Sequence, residues 1–221
     1  MQLKLFLHIA SKRRVSLLLI ILTLCCLAKT SQAQVEIFGG VNSSFVRNDY
    51  LRKEGSHRAY HFGAGFDVYP NKKSDKFSLK INVITVEKGY TLKADKSYRY
   101  RFKYISVQPM ANYHPIPFVS MYAGIDAGFF FWSNVKDGWK NYCPLDAGLV
   151  AGFSLWDNKQ IGLYTRLIYD LVPMVQNYDN VDAQGNFHGT IDDIKNTSIL
   201  IGLKINVYNE RIPRKKIPKQ K

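Results

Sequence analysis

Two histidines four residues apart, His57 and His61, follow the adjacent hydroxyls Ser43 and Ser44. A hydroxyl beside an imidazole is the minimum for nucleophilic chemistry, provided the chain brings the two within hydrogen-bond reach. The histidines alone do not make a metal site: on a strand, residues four apart stand about 13 Å apart. Cys143 is the lone cysteine outside the N-terminal segment, and no histidine lies near it, so it reads as a small apolar residue. Asp179, Asp182, Asn186, Asp192 and Asp193 offer oxygen ligands around Gly185, but their spacing departs from the twelve-residue calcium loop. No cofactor and no metal is expected. A third grouping is more regular. Tyr98, Tyr100 and Phe102 alternate with Arg99, Arg101 and Lys103, which on a strand puts three rings on one face and three cations on the other. Such cations are suited to phosphate oxygens.

The elements that must position these groups are strands. Stretches rich in aromatic and β-branched residues recur between polar breaks: Val35–Val46, Arg58–Val68, Phe77–Tyr90, Tyr98–Tyr113, Phe118–Ser133, Asp146–Trp156, Gln160–Leu171 and Thr197–Tyr208. In the last, one face reads Ile199, Ile201, Leu203, Ile205, Val207 and the other Ser198, Leu200, Gly202, Lys204, Asn206. The connections alternate in length. Tyr69–Lys76, His114–Pro117 and Asp157–Lys159 are short, whereas Arg47–His57, Thr91–Ser97, Asn134–Leu145 and Val172–Asn196 are mostly longer and more polar. Tight turns at one end and large loops at the other are the habit of membrane barrels.

The face opposite the apolar one carries charges of both signs: Glu36, Asp67, Lys80, Asp126, Asp146, Arg166, Asp170 and Lys204. Asn42, Asn82, Ser106 and Gln108 share it, and glycines from Gly40 to Gly202 thin it. The reading is a narrow lumen closed by an ionic network of structural role, with lipid outside and no open pore. The aromatic residues Tyr60, Phe62, Phe66, Phe118, Phe129, Phe131, Trp132 and Trp156 lie toward strand ends, as interfacial girdles do. A soluble periplasmic ligand-binding β-barrel is the alternative, and it requires the reverse arrangement, apolar inside.

The N-terminus addresses the chain. Basic residues Lys4, Lys12, Arg13 and Arg14 precede an uncharged apolar run, Val15–Ala28, and then Ser31-Gln32-Ala33. This order predicts a signal peptide over residues 1–33, cleaved after Ala33. The run is too short for a bilayer-spanning helix, and Leu24 before Cys25 does not suit a lipid-anchor signal. No later apolar run is long enough for a transmembrane helix. The whole chain of 221 residues has 31 Lys and Arg against 17 Asp and Glu, a charge of +14. Five of the bases lie in the leader, and Arg211, Arg214, Lys215, Lys216, Lys219 and Lys221 fall in the segment 209–221. The excess is a leader and a basic periplasmic tail, so no nucleic-acid partner is expected.

Several short motifs then carry a resemblance: Gly39-Gly40-Val41-Asn42, Gly63-Ala64-Gly65-Phe66, Glu87-Lys88-Gly89, Tyr104-Ile105-Ser106-Val107-Gln108-Pro109 and Asp146-Ala147-Gly148-Leu149-Val150-Ala151-Gly152. In these the chain resembles the PorT-type, or more broadly OmpA/OmpX-like, small outer-membrane barrels. Such proteins often carry a carboxylate where Ser106 stands. They usually end in a strand with a terminal aromatic residue read by the barrel-insertion machinery; Tyr208 matches, but Asn209–Lys221 follow it. The resemblance supplies no catalytic residues and implies roles that include protein secretion. The expectation is an all-β, eight-stranded antiparallel up-and-down transmembrane β-barrel over residues 34–208. It would be non-enzymatic, and would act in envelope structure, surface interaction or as an accessory of secretion. Its expected partners are outer-membrane lipid and lipopolysaccharide (through Arg99, Arg101 and Lys103), the insertion machinery, and a secretion or surface protein. The enzymatic alternative is a lipid-modifying enzyme using Ser43 or Ser44 with His57 or His61 at the outer rim.

Overall fold

The computed structural model describes residues 32–47, 55–70, 76–91, 99–134, 143–175, 178–181, 187–191 and 194–209. The predicted leader as far as Ser31, the basic tail after 209 and, of the Asp179–Asp193 ligand set, all but Asp179 lie outside these residues. Eight long strands carry the fold: β1 (Gln32–Arg47), β2 (Gly55–Tyr69), β3 (Phe77–Thr91), β4 (Arg99–Ile116), β5 (Val119–Ser133), β6 (Leu145–Leu155), β7 (Ile161–Asp170) and β10 (Lys195–Asn209). Each pairs antiparallel with its neighbours in chain order, and β1 also pairs with β10, so the sheet closes into a barrel. The eight strands match the stretches of alternation, differing at their ends; β1 starts at Gln32, before the expected cleavage point.

Alternation explains why these residues form a barrel that is polar within. Along β10, Ile199, Ile201, Leu203, Ile205 and Val207 are exposed on the outer surface, whereas Ser198, Leu200, Lys204 and Asn206 are buried. Strands alternate faces residue by residue, so one parity meets the surroundings and the other fills the centre. Gly40 and Gly202 face each other across β1 and β10, and a Cβ on Gly40 would lie 2.1 Å from the Ile201 carbonyl oxygen. Only glycine permits that approach. Among the described residues no helix is long and apolar enough to cross a membrane; the strands supply the outward apolar surface instead.

Two features correct the sequence reading. The connection Val172–Asn196, expected to be a loop, carries a hairpin of its own, β8 (Tyr178–Val181) and β9 (Phe187–Ile191), and a bridge pairing Val175 with Ile194. These strands are too short to show the alternation by which the longer ones were recognised. The inward face is also less uniformly polar than expected. Phe38, Ile84, Met110, Tyr122, Val150, Tyr164, Ile168 and Leu200 form a buried apolar layer inside the barrel. A second set, Val86, Tyr90, Phe102 and Tyr104 with Met174, Val175 and Ile194, packs at the end where the long loops lie. The short turns and both chain ends of the barrel lie at the opposite end.

Candidate functional site

The lumen is built in layers, and the one nearest the short turns is ionic. Glu36 (β1), Asp67 (β2), Lys80 (β3) and Lys204 (β10) point inward there and are buried. Lys80 Nζ lies 2.8 Å from Glu36 Oε1 and 3.6 Å from Asp67 Oδ2; Lys204 Nζ lies 3.3 Å from Glu36 Oε2 and also bonds Asp157. Asp157 comes from the β6–β7 turn, folds under the barrel mouth and accepts from His114 Nε2 at 2.9 Å. Burial opposes its charge, but attraction to Lys204, the bond from His114 and the nearby Lys80 outweigh burial and hold the Asp157 carboxyl well below the ordinary carboxylate range. Sequence reasoning placed Asp157 and His114 in turns and missed both: β4 runs on to Ile116, so His114 continues its inward parity, whereas nothing local signals that the turn residue Asp157 tucks inward.

Above this layer Arg166 (β7) runs among rings, its guanidinium carbon 5.0 Å from the centroid of Phe38 and 5.5 Å from those of Tyr122 and Tyr164. Its Nη1 donates to Gln108 Oε1 at 2.6 Å, and Gln108 Nε2 donates to Asp126 Oδ1, also at 2.6 Å. That relay joins the apolar layer to a second ionic layer. There Lys88 Nζ faces three carboxylates: Asp170 at 2.7 Å, Asp126 at 3.6 Å, and Asp146 in direct contact. Lys88, absent from the lumen charges expected from the sequence, lies on the inward parity of β3 with Lys80. Ser106, where related barrels carry an acid, reaches Asp126 at 3.5 Å, so the carboxylate stands on the neighbouring strand.

Two groups of described residues bring ligand atoms within 4.8 Å of one another, Asp67–His114–Asp157 and Asp126–Asp146–Asp170. An ammonium group already sits in each: Lys204 on Asp157, Lys80 beside Asp67, and Lys88 on all three members of the second. Both are therefore ion-pair clusters.

The catalytic pairing considered for the histidines is not assembled. Ser44 stands opposite His57 in the β1–β2 register, but its hydroxyl lies 3.1 Å from the Ser198 hydroxyl. His57 Nε2 lies 2.8 Å from Glu87 Oε1, and His61 bonds the Tyr164 hydroxyl. Cys143 sits half-buried just before β6.

The outer face at the long-loop end differs from the lumen. The β2–β3 pairing holds at Gly55–Thr91 and Ser56–Tyr90, and again from Phe62–Thr85 onward, with a register shift between. Across the interruption, Asn42 Nδ2 of β1 donates to the Glu87 carbonyl of β3 at 2.6 Å. Gly89, two residues on, has φ of 155°, and a Cβ there would lie 1.9 Å from the Tyr100 carbonyl oxygen, so the backbone at this point requires glycine. Outside this irregularity runs a groove of about 440 Å³ lined by Arg58, Tyr60, Phe62, Arg99, Arg101 and Lys103. Glu87 points into it: Arg101 Nε and Nη2 donate to its carboxylate at 2.6 and 3.0 Å, and Lys103 Nζ lies 3.9 Å away. Lys103 and Arg101 also stand 4.8 and 5.7 Å from the Trp132 ring. Among the described residues, Arg58 and Arg99 have no carboxylate within salt-bridge distance.

The family model described as "outer membrane protein beta-barrel domain" matches residues 27–176. No curated protein matches the chain. Among solved structures it is similar to Ail, the attachment invasion locus protein of Yersinia pestis, at 14% identity over 79% of this chain and 99% of that one, with a TM-score of 0.47. It is similar to Neisserial surface protein A at 11% identity over 78% and 97%, with a TM-score of 0.49. It is also similar to OprG from Pseudomonas aeruginosa at 14% identity over 80% and 97%, with a TM-score of 0.44.

Proposed function

The chain belongs to the outer-membrane β-barrel domain family, and from that premise we propose that it is a closed, non-enzymatic barrel whose role lies on its surface and loops. The role fits envelope structure, surface interaction or assistance to a secretion complex, the last being what the PorT-type resemblance implies. The observation that supports this reading most is the filled lumen. Lys80 and Lys204, then the rings around Arg166, then Lys88 with its three aspartates, and finally Phe102, Met174 and Ile194 occupy the interior in succession. An eight-stranded barrel is just wide enough to be filled by its own side chains. A path for solute would have to break these ion pairs, and breaking a buried pair costs about 3–5 kcal/mol. The engaged hydroxyls and rings of Ser44, His57 and His61 speak against the lipid-modifying alternative, which needs a serine hydroxyl on an imidazole.

The test is solute efflux from liposomes carrying the full chain. No efflux above empty liposomes is expected. Steady conductance that changes in Lys88→Met would overturn the closed-barrel reading. Mass spectrometry of lipid A from a deletion strain should match wild type; a lost modification restored by wild type but not by His57→Ala would make the protein an enzyme.

A further inference from the structure

We propose that the groove between β2 and β4 on the outer face binds the phosphate of an outer-leaflet glycolipid, with Arg58, Arg99 and Lys103 as the phosphate ligands. The proposal rests on the reading that the long-loop end of the barrel faces outward in the outer membrane.

Four cations, Arg58, Arg99, Arg101 and Lys103, line the groove beside one carboxylate, Glu87, which only Arg101 and Lys103 of the four reach. Glu87 is already bracketed by Arg101 through two hydrogen bonds and by His57 on its other side. Arg101 is thereby a positioning residue, held in place and half neutralised. Arg58 and Arg99 keep their charges without an acidic partner among the described residues, and Lys103 reaches Glu87 only at 3.9 Å. An anion entering the groove would gain charge-assisted bonds from three groups without first breaking a strong pair. Within the lumen the opposite holds, since its lysines are bonded to carboxylates at close range.

The level of the groove selects a lipid over a free anion. Tyr60 and Phe62 on β2 are 82% and 67% exposed, and Trp132 on β5 lies across from Lys103. Aromatic side chains so placed mark the boundary between headgroups and acyl chains. The cations nearest the loops, Arg58 and Arg99, stand beyond these rings at headgroup height. A ligand with a phosphate above and a hydrocarbon body below matches both parts; inorganic phosphate matches only one. The interrupted β2–β3 ladder supplies the shape, since Tyr60 and Phe62 stand on the part of β2 at and beside the register shift.

The experiment uses the purified full chain in mild detergent with diphosphoryl lipid A as the probe. Monophosphoryl lipid A and inorganic pyrophosphate are the comparison ligands. Wild type should bind the diphosphoryl lipid at least about tenfold more tightly than the triple variant Arg58→Gln, Arg99→Gln, Lys103→Gln. Binding should weaken with salt in wild type and much less in the variant. Both proteins should keep their boiling-dependent gel shift, so a folding failure is separable. A protein that never shows that shift fails the membrane reading itself. Equal binding by wild type and variant, or equal affinity for both lipids, overturns the phosphate assignment. Pyrophosphate competing as well as the lipid overturns the lipid assignment and leaves a free-anion site.

Discussion

Inside the barrel the lysines are paired with carboxylates by construction; on its outer face at the long-loop end, Arg58 and Arg99 have no carboxylate partner among the described residues. Lys88 bonds Asp146 and Asp170 and lies 3.6 Å from Asp126, and Lys80 and Lys204 share Glu36 between them. On the outer face four cations line a groove with one carboxylate, Glu87, and only Arg101 and Lys103 of them reach it. The difference follows from solvation. A charge removed from water must be met by another or be neutralised, because its desolvation is repaid only by a close partner. A cation on the exposed rim meets no such demand and persists for other reasons. The lumen charges therefore read as structure, and the groove is where recognition has room to act.

This contrast is open to attack from the inside first. Lys88→Met removes the cation facing three buried carboxylates and should cost about 3–5 kcal/mol, seen as a lower urea midpoint for the heat-modifiable form. Adding Asp146→Asn and Asp170→Asn should recover part of the loss; a Lys88→Met protein as stable as wild type would show that the layer is not held by charge. The short-turn layer should be more forgiving. Lys204→Met should cost about 2 kcal/mol, because Lys80 still serves Glu36 and His114 still serves Asp157. An equal or larger loss than in Lys88→Met would reverse the order of the two layers.

Acid probes the same layer without mutation. The folded Asp157 carboxyl sits below its unfolded value, so its contribution is present above about pH 4 and is lost as the pH falls through the folded value. Stability in detergent should decline on that side and the decline should shrink in Asp157→Asn. The smallest effect is expected outside. Arg58→Gln and Arg99→Gln should each shift the urea midpoint by no more than corresponds to about 0.5 kcal/mol. A large loss in either would mean that these cations are structural after all.

Much of this was legible in the chain because a strand has a period of two. Val207 and Lys204, or Ile125 and Asp126, are assigned to opposite faces by parity alone, and the structure exposes the first of each pair and buries the second. The same rule separates Glu87 from Lys88: consecutive residues, one turned to the outer groove and the other to the lumen. Arg99, Arg101 and Lys103 were likewise placed on one face by spacing. The partners were not legible. Glu36 meets Lys204 across almost the whole chain, and Asp157 enters the ionic layer from a turn that carries no alternation. The apolar lumen layer was hidden because Phe38, Tyr122 and Tyr164 share the inward parity with charges and glycines, and a pattern that mixes types has no single hydrophobic signature.

By itself, then, the order of residue types determined that this chain makes strands, how many close the barrel and which face of each turns inward, since those properties depend on neighbours a few residues apart. Which charges meet, that a carboxylate on β3 holds an arginine on β4 beside two cations with no acid near them among the described residues, and that the β2–β3 ladder breaks at that point were decided only by closure. They depend on strand register and tilt around the whole barrel, which bring distant residues to one height, and no local pattern encodes that height.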